Sequence, residues 1–331
     1  MIIKFLKRLK YQFAVKKNNS VYLRQYIKRW KVFSSTELRA HSSKYLKLRI
    51  LIASHTIEKG LSHDDFRPGF GKDVVIKLLK NLKEYEHRKE TDAFCIRIGY
   101  SVLNQYHIMN QFYNYDDSSY LSTIKDDYGK GGSYAVKIGK DHNYSCYEEF
   151  TFSRHSVRLY DTVSEAIEND EILNCVRIAQ TAPNACNRQA VRVHVIKNKD
   201  FFKRFEEIQL GCKGFARNAG AILIITADLQ LYESSEIRLP SIDAGIFLMN
   251  LVNACFDTKI YSCILNGAFP GEANNQIRNI FKIPENEDIE ACLLLYKITE
   301  EIDIKVPKSE RMDTSEMCSF VEYNISGGIL V

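Results

Sequence analysis

Four apolar runs in the second half of the chain constrain its fold more than any other feature. VRVHVI (191–196), GAILIITAD (220–228), KIYSCILN (259–266) and IEACLLLYKI (289–298) are bounded by polar or glycine-containing stretches, the pattern of strands. Helical spacing of apolar residues fills the intervals, over 165–181, 200–209, 241–256 and 272–282. Strands alternating with helices specify an α/β or α+β sheet domain.

The first half reads differently. From 36 to 115 the apolar residues recur at three-and-four spacing, with one stripe through Val74, Val75, Leu78, Leu79 and Leu82. A second stripe runs through Cys95, Ile96, Ile98, Val102 and Leu103. Between helices, HTIEKGLSHDDFRPGFGK (55–72) carries Gly60, Pro68, Gly69 and Gly71, which read as helix breakers. The polar, glycine-containing stretch 116–134 reads as a linker. The expected division is therefore a basic arm and helical extension over 1–145, followed by a sheet domain over 146–331.

Composition excludes several classes. With 331 residues, 45% hydrophobic and a net charge of +5, the chain suits neither wholesale disorder nor a disulfide miniprotein. Its nine cysteines are odd in number, form no C-x-x-C pair and sit mostly in apolar runs, as thiols do in a reducing cytoplasm. No apolar run approaches the ~20 residues of a membrane span. The start, MIIKFLKRLK, is interrupted by lysine too often for a signal peptide. The expected location is cytoplasmic.

Charge is concentrated at the start. Residues 1–36 hold ten Lys and Arg and no Asp or Glu, while the other 295 hold 36 basic against 41 acidic side chains. Apolar residues interleave with the bases over 1–31, so the arm suits either a docked helix or peripheral contact with an anionic membrane surface. Nothing else in the sequence suggests a reader of nucleic acid.

Four segments carry candidate chemistry. Arg154, His155, Ser156 and Arg158 cluster before the first helix of the sheet region, and two Arg forks with a hydroxyl suit an oxyanion. Alone, that cluster reads better as a solvated basic loop. Next, Ala182-Pro183-Asn184-Ala185-Cys186-Asn187-Arg188-Gln189 presents amides between a helix and a strand, and amides pair with heterocycle edges. Asn266 and Gly267 end a strand where backbone can approach a ligand closely. Lys305, Lys308 and Arg311 follow the last apolar run.

In this order, these segments resemble the nitroreductase family of FMN-dependent oxidoreductases. That family's R-x-S-x-R/K signature stands here as Arg154, Ser156 and Arg158. Its A-P-S-x-x-N-x-Q loop stands as Ala182, Pro183, Asn184, Asn187 and Gln189, with Asn184 in place of the usual Ser and Ala190 in place of the usual following Pro. DAGIFLMNL (243–251) resembles the long core helix that helps build the family's dimer interface. The resemblance covers roughly 150–325, and the first 150 residues match nothing in it.

The resemblance implies an α+β sandwich, a mainly antiparallel sheet flanked by helices, with an N-terminal all-helical extension. It also implies a homodimer with one FMN per subunit at the interface, and hydride transfer from NAD(P)H to a small molecule. Arg154, Ser156, Arg158, Arg311 and Lys308 would grip the FMN phosphate and ribityl chain, with His155 beside them. Pro183, Asn184, Asn187 and Gln189 would line the flavin across the dimer, and backbone at Asn266 and Gly267 would donate to flavin N5. The segment from Asp228 to Asp243 is short where relatives carry a lid, and residues 36–115 are expected to take that place.

Other motifs point elsewhere less well. His55, Glu58 and His63 lack the i, i+4 histidine geometry of zinc helices, so no metal is expected. Gly129-Lys130-Gly131-Gly132-Ser133 has no preceding strand and reads as linker, and Cys186 as a packed thiol. The competing hypothesis is a scaffold that kept the fold without catalysis, recruited to a membrane or a polysaccharide-assembly partner by its N-terminal region.

Overall fold

The computed structural model describes residues 42–321 except 90, 92, 122–130, 139–145, 186–187, 233–235 and 270–271. The basic arm, Cys186 and Asn187 thus lie outside the described residues. Packing divides the described chain into two compact units, 135–306 and 42–134 with 307–321. The C-terminal segment, assigned from sequence to the sheet domain, groups with the helices.

The helical unit contains α1 (Ser43–Leu61), α2 (Lys72–Glu86), α3 (Ala93–Phe112) and the short α4 (Ser118–Leu121). Ser42 caps α1, its hydroxyl accepting the Tyr45 N–H at 3.2 Å. The stripes expected from sequence meet in one core of Val75, Leu78, Leu82, Cys95, Val102 and Leu103. Gly60 does not break its helix. A Cβ there would lie 2.0 Å from the Phe70 ring, so the glycine lets that ring pack against α1. Below it, buried Asp117 accepts from Asn110 Nδ2 at 2.9 Å and pairs with His107 Nδ1 at 2.7 Å. Asn110 Oδ1 in turn accepts the Gly69 N–H at 3.0 Å, fixing the 62–71 loop.

Glu58 is also buried, and its carboxylate accepts the Gly132 N–H and lies 3.5 Å from His55. His63 Nδ1 accepts the Asp65 N–H. The linker expected over 116–134 is corrected at both described ends, since α4 and the start of β1 (Ser133–Ile138) fall within it. β1 pairs with β6 (Ile302–Pro307), a partner some 170 residues away, so no local signal marks it.

The other unit contains α5 (Tyr147–Ser153), α6 (Asn169–Ala179), β2 (Val191–Ile196), α7 (Lys199–Ile208) and β3 (Ala221–Asp228). It continues with α8 (Leu239–Asp257), β4 (Ile260–Asn266), α9 (Glu272–Phe281) and β5 (Glu287–Lys297). Within α6 the Glu171 carboxylate accepts the Glu168 N–H at 2.9 Å and pairs with Lys297 at 2.8 Å. Pro240 sits in the first turn of α8, where a missing N–H costs nothing.

The sheet runs in the order β2-β3-β5-β4 with every neighbour antiparallel, so the fold is α+β. Central β3 and β5 are covered on both faces. Ile222, Ile224, Cys292 and Leu294 face the α7 and α9 side, while Leu223, Ile225, Leu293 and Leu295 face α6 and α8. Burial on two faces explains why these runs read as continuously apolar rather than alternating. On the first face, Glu287 accepts from Thr226 and meets His194 Nε2 at 2.6 Å, a polar bridge across three strands.

By length and average composition helix α8 is apolar enough to cross a membrane, although Asp243, Asn250 and Asn253 keep any uninterrupted apolar run short. Over half of it is buried in this unit as a core helix.

Candidate cofactor and substrate site

The signature residues lie on one extended segment. Arg154 ends α5 in an extended conformation, and Ser156 forms a parallel bridge with Ser262 of β4. The Val157 N–H donates to the Ser262 carbonyl at 3.0 Å. Val157 and Leu159, each 1% exposed, anchor this segment in the core and alternate with Arg154, Ser156 and Arg158. The Arg158 guanidinium lies 5.9 Å from the Phe215 ring centre, and Nη1 reaches the Ser156 carbonyl at 3.5 Å. Its Nε is buried with no acceptor among the described residues. A buried donor without a partner costs about 1–3 kcal/mol, and more when it is charged, which an anion would relieve.

His155 takes a different place. It lines a cavity of about 240 Å³ with Ser153, Val157, Phe256 and Tyr261, a space that Arg154, Ser156 and Arg158 do not line. Burial, and then the charge of Arg154, holds its imidazole below the usual histidine range.

Pro183, Asn184 and Gln189 line a larger cavity of about 370 Å³, within the size range of small-molecule pockets. Its apolar walls include Ile172 and Val176 of α6, Val191 and Val193 of β2, and Phe247 of α8. Arg192 and Gln180 add polar groups. The loop is tied internally, with Asn184 Oδ1 accepting the Gln189 N–H at 2.8 Å and Arg192 Nη1 donating to the Gln189 carbonyl at 2.6 Å. It is also tied outward, since the buried Asp243 carboxylate accepts the Ala185 N–H at 3.0 and 3.2 Å.

Asn266 closes β4, and its carbonyl accepts Gln209 Nε2 at 3.0 Å. At Gly267 a Cβ would stand 2.7–2.8 Å from the backbone of Glu290 and Ala291, so only glycine lets this corner run so close to β5. Burial raises the Glu290 carboxyl, a hydrogen bond with Ser241 opposes this, and Asp288 adds to the rise.

Lys308 and Arg311 fall in the helical unit. The Lys308 N–H donates to the Gly132 carbonyl at 2.9 Å, Arg311 donates to the Ser309 carbonyl, and Glu310 between them pairs with Arg97 at 3.0 Å. Lys305 lies within β6 rather than after the last strand, while Lys308 and Arg311 follow that strand as expected.

The structure therefore gathers Arg154, Ser156 and Arg158 on one segment and Pro183, Asn184 and Gln189 on one cavity. It does not merge the two groups: Arg154, Ser156, Arg158, Asn266 and Gly267 all lie off the larger cavity. Sequence reasoning missed Asp243, Tyr232 and Arg192. A lone acid in an apolar helix was the available signal for Asp243, and alternation along β2 was the signal for Arg192.

Residues 152–213, from the signature segment through the amide loop, match the sequence model of the Nitroreductase family. The match does not extend to the helical region before it. No curated protein matches the chain. Among solved structures, a nitroreductase-like protein from Streptococcus mutans is 20% identical, with TM-score 0.45 over 53% of this chain and 98% of its own. A putative NAD(P)H:FMN oxidoreductase from Staphylococcus epidermidis is 17% identical, with TM-score 0.46 over 56% of this chain and 100% of its own. An FMN-dependent nitroreductase from Clostridium difficile is 18% identical, with TM-score 0.42 over 53% and 98%.

Proposed function

We propose that this chain is an FMN-dependent oxidoreductase, a cytoplasmic homodimer that passes hydride from NAD(P)H to a small-molecule acceptor. The observation that carries the reading is the family match, because residues 152–213 span both the anion-binding signature and the amide loop. The residues fit the cofactor: Arg158 holds a buried, unmatched donor beside Arg154 and Ser156, as a phosphate site requires.

Bound FMN supplies a ring position that accepts and returns hydride. The chain's residues do the rest. Arg154, Ser156 and Arg158 bind the phosphate and ribityl end through charge-assisted bonds. Asn184 and Gln189 form the polar edge of the ring site beside Pro183, and the apolar walls of the larger cavity exclude water. Backbone N–H groups at Asn266 and Gly267 orient the ring.

A second copy of the chain accounts for the separation of the two groups, the loop of one subunit serving the signature of the other. The surface of α8 supports this. Ile242, Ile246 and Met249, at helical spacing, are each 40–48% exposed, although the helix's other faces are buried.

The test is the colour of the purified protein. About one FMN per subunit, by absorbance and by release on denaturation, is expected. A colourless protein that takes up no added FMN would instead favour the scaffold reading, whose support is the run of ten bases without an acid in residues 1–36.

A further inference from the structure

The short connector between β3 and α8 bonds to Asn286 through the Leu229 N–H, to α8 through Tyr232, and to the amide loop through Leu231 and Glu236. Arg188, on that loop, forms two bonds to the Glu236 carboxylate, one of them at 2.9 Å, and donates to the Leu231 carbonyl at 3.1 Å. Its guanidinium also lies 5.7 Å from the Tyr232 ring centre. The Tyr232 hydroxyl donates to Asp243 at 2.8 Å, and the same carboxylate takes the Ala185 N–H. Asp243 is 3% exposed, so its charge is held by these donors rather than by water. Burial, and then Asp243, pushes the Tyr232 phenol well above its usual range, which keeps it a donor at any working pH.

Two arms thus hold one loop. Arg188–Glu236 grips its C-terminal end, and Tyr232–Asp243 grips its middle at Ala185. Between and beside these grips stand Asn184 and Gln189, both on the wall of the 370 Å³ cavity, as is Asp243 itself. Gln189 holds a positive φ of 50°, a conformation uncommon in a non-glycine residue that persists only when its surroundings enforce it.

We infer that Asp243, Tyr232, Arg188 and Glu236 form a latch that holds Asn184 and Gln189 in position to receive the flavin ring. They are positioning residues. The inference rests on the FMN reading for the identity of the ligand, but the latch itself is a property of the loop. It also gives the short connector a role: it fixes the cofactor loop where a longer segment would cover the substrate.

Amide hydrogen exchange and FMN affinity test this together on the full-length protein. Asp243→Ala is expected to speed exchange over residues 183–190 while β3, residues 221–228, keeps its protection. FMN binding, followed by quenching of flavin fluorescence, is expected to weaken about tenfold. Tyr232→Phe removes one hydroxyl and leaves the ring, so it gives a smaller change of the same kind if Asp243→Ala folds poorly. Arg188→Ala is expected to act at the C-terminal end of the same peptide. Unchanged exchange over 183–190 in folded variants, or equal loss of protection in β3, overturns the latch. Faster loop exchange in a chain whose wild type takes up no FMN leaves the latch standing and removes the cofactor reading. Wild-type FMN affinity in a variant with a loosened loop removes the positioning role.

Discussion

Asn184 and Gln189 face each other across the amide loop, the side-chain oxygen of the first accepting the backbone N–H of the second at 2.8 Å. The bond closes the loop and holds Gln189 at its positive φ. It also determines what Asn184 can offer a ligand. Its oxygen is engaged within the loop, so the amide nitrogen, 3.5 Å from the Ala182 carbonyl, is its more available group. Both side chains reach the cavity wall, so the asparagine that stands where relatives have serine serves the loop and the cavity together.

Replacing Arg154 and Arg158 together by Ala is expected to weaken FMN binding by several kcal/mol, since charge-assisted bonds contribute about 1.5–3 kcal/mol each. Arg158→Ala alone also removes the buried, unmatched Nε, so the cofactor-free protein should lose little stability. Titration of FMN into each variant measures this. Wild-type affinity in the double variant would remove both residues from the phosphate site.

The exposed stripe of α8 predicts a dimer. Burying the remaining surface of Ile242, Ile246 and Met249 contributes on the order of 1 kcal/mol each per subunit. Ile246→Glu should shift the protein toward monomer in sedimentation at micromolar concentration and lower FMN content with it. A wild-type chain that sediments as a monomer would contradict the assembly.

Gly60→Ala separates two views of one residue by sign. In an ordinary helix interior the change stabilises by about 1 kcal/mol. Here the new methyl meets a Phe70 ring held against Tyr106 at 5.1 Å between ring centres and against Phe66 at 5.6 Å. Overpacking of this kind costs about 1–3 kcal/mol, so net destabilisation is expected in urea unfolding. A gain in stability would show that the ring yields freely.

His155 predicts a pH dependence. Its folded-state pKa is lowered by burial and by Arg154, so below about pH 6.5 the unfolded chain binds a proton that the folded chain resists. Stability attributable to this residue is therefore complete above that pH and falls as the pH drops. His155→Gln should flatten this part of the stability profile between about pH 7 and 5. A profile identical to the wild type would show that the histidine keeps its ordinary pKa.

Local pattern alone determined the strands at 191–196, 220–228, 259–266 and 289–298 and the helices between them, because each strand carries its apolar run and each helix its apolar period within itself. The shared segment of Arg154, Ser156 and Arg158 was legible for the same reason: the three residues are two apart in an extended stretch, so spacing alone aligns them. What depends on distant partners was not legible. β1 exists through β6, the order β2-β3-β5-β4 inserts β5 between strands that precede it, and Gly60 looked like a breaker until Phe70 filled its missing side chain. Asp243 read as one acid in an apolar helix. Only tertiary structure brought it to the Ala185 N–H and the Tyr232 hydroxyl, because a buried charge is tolerated where donors from remote segments converge, and that convergence has no period in the sequence.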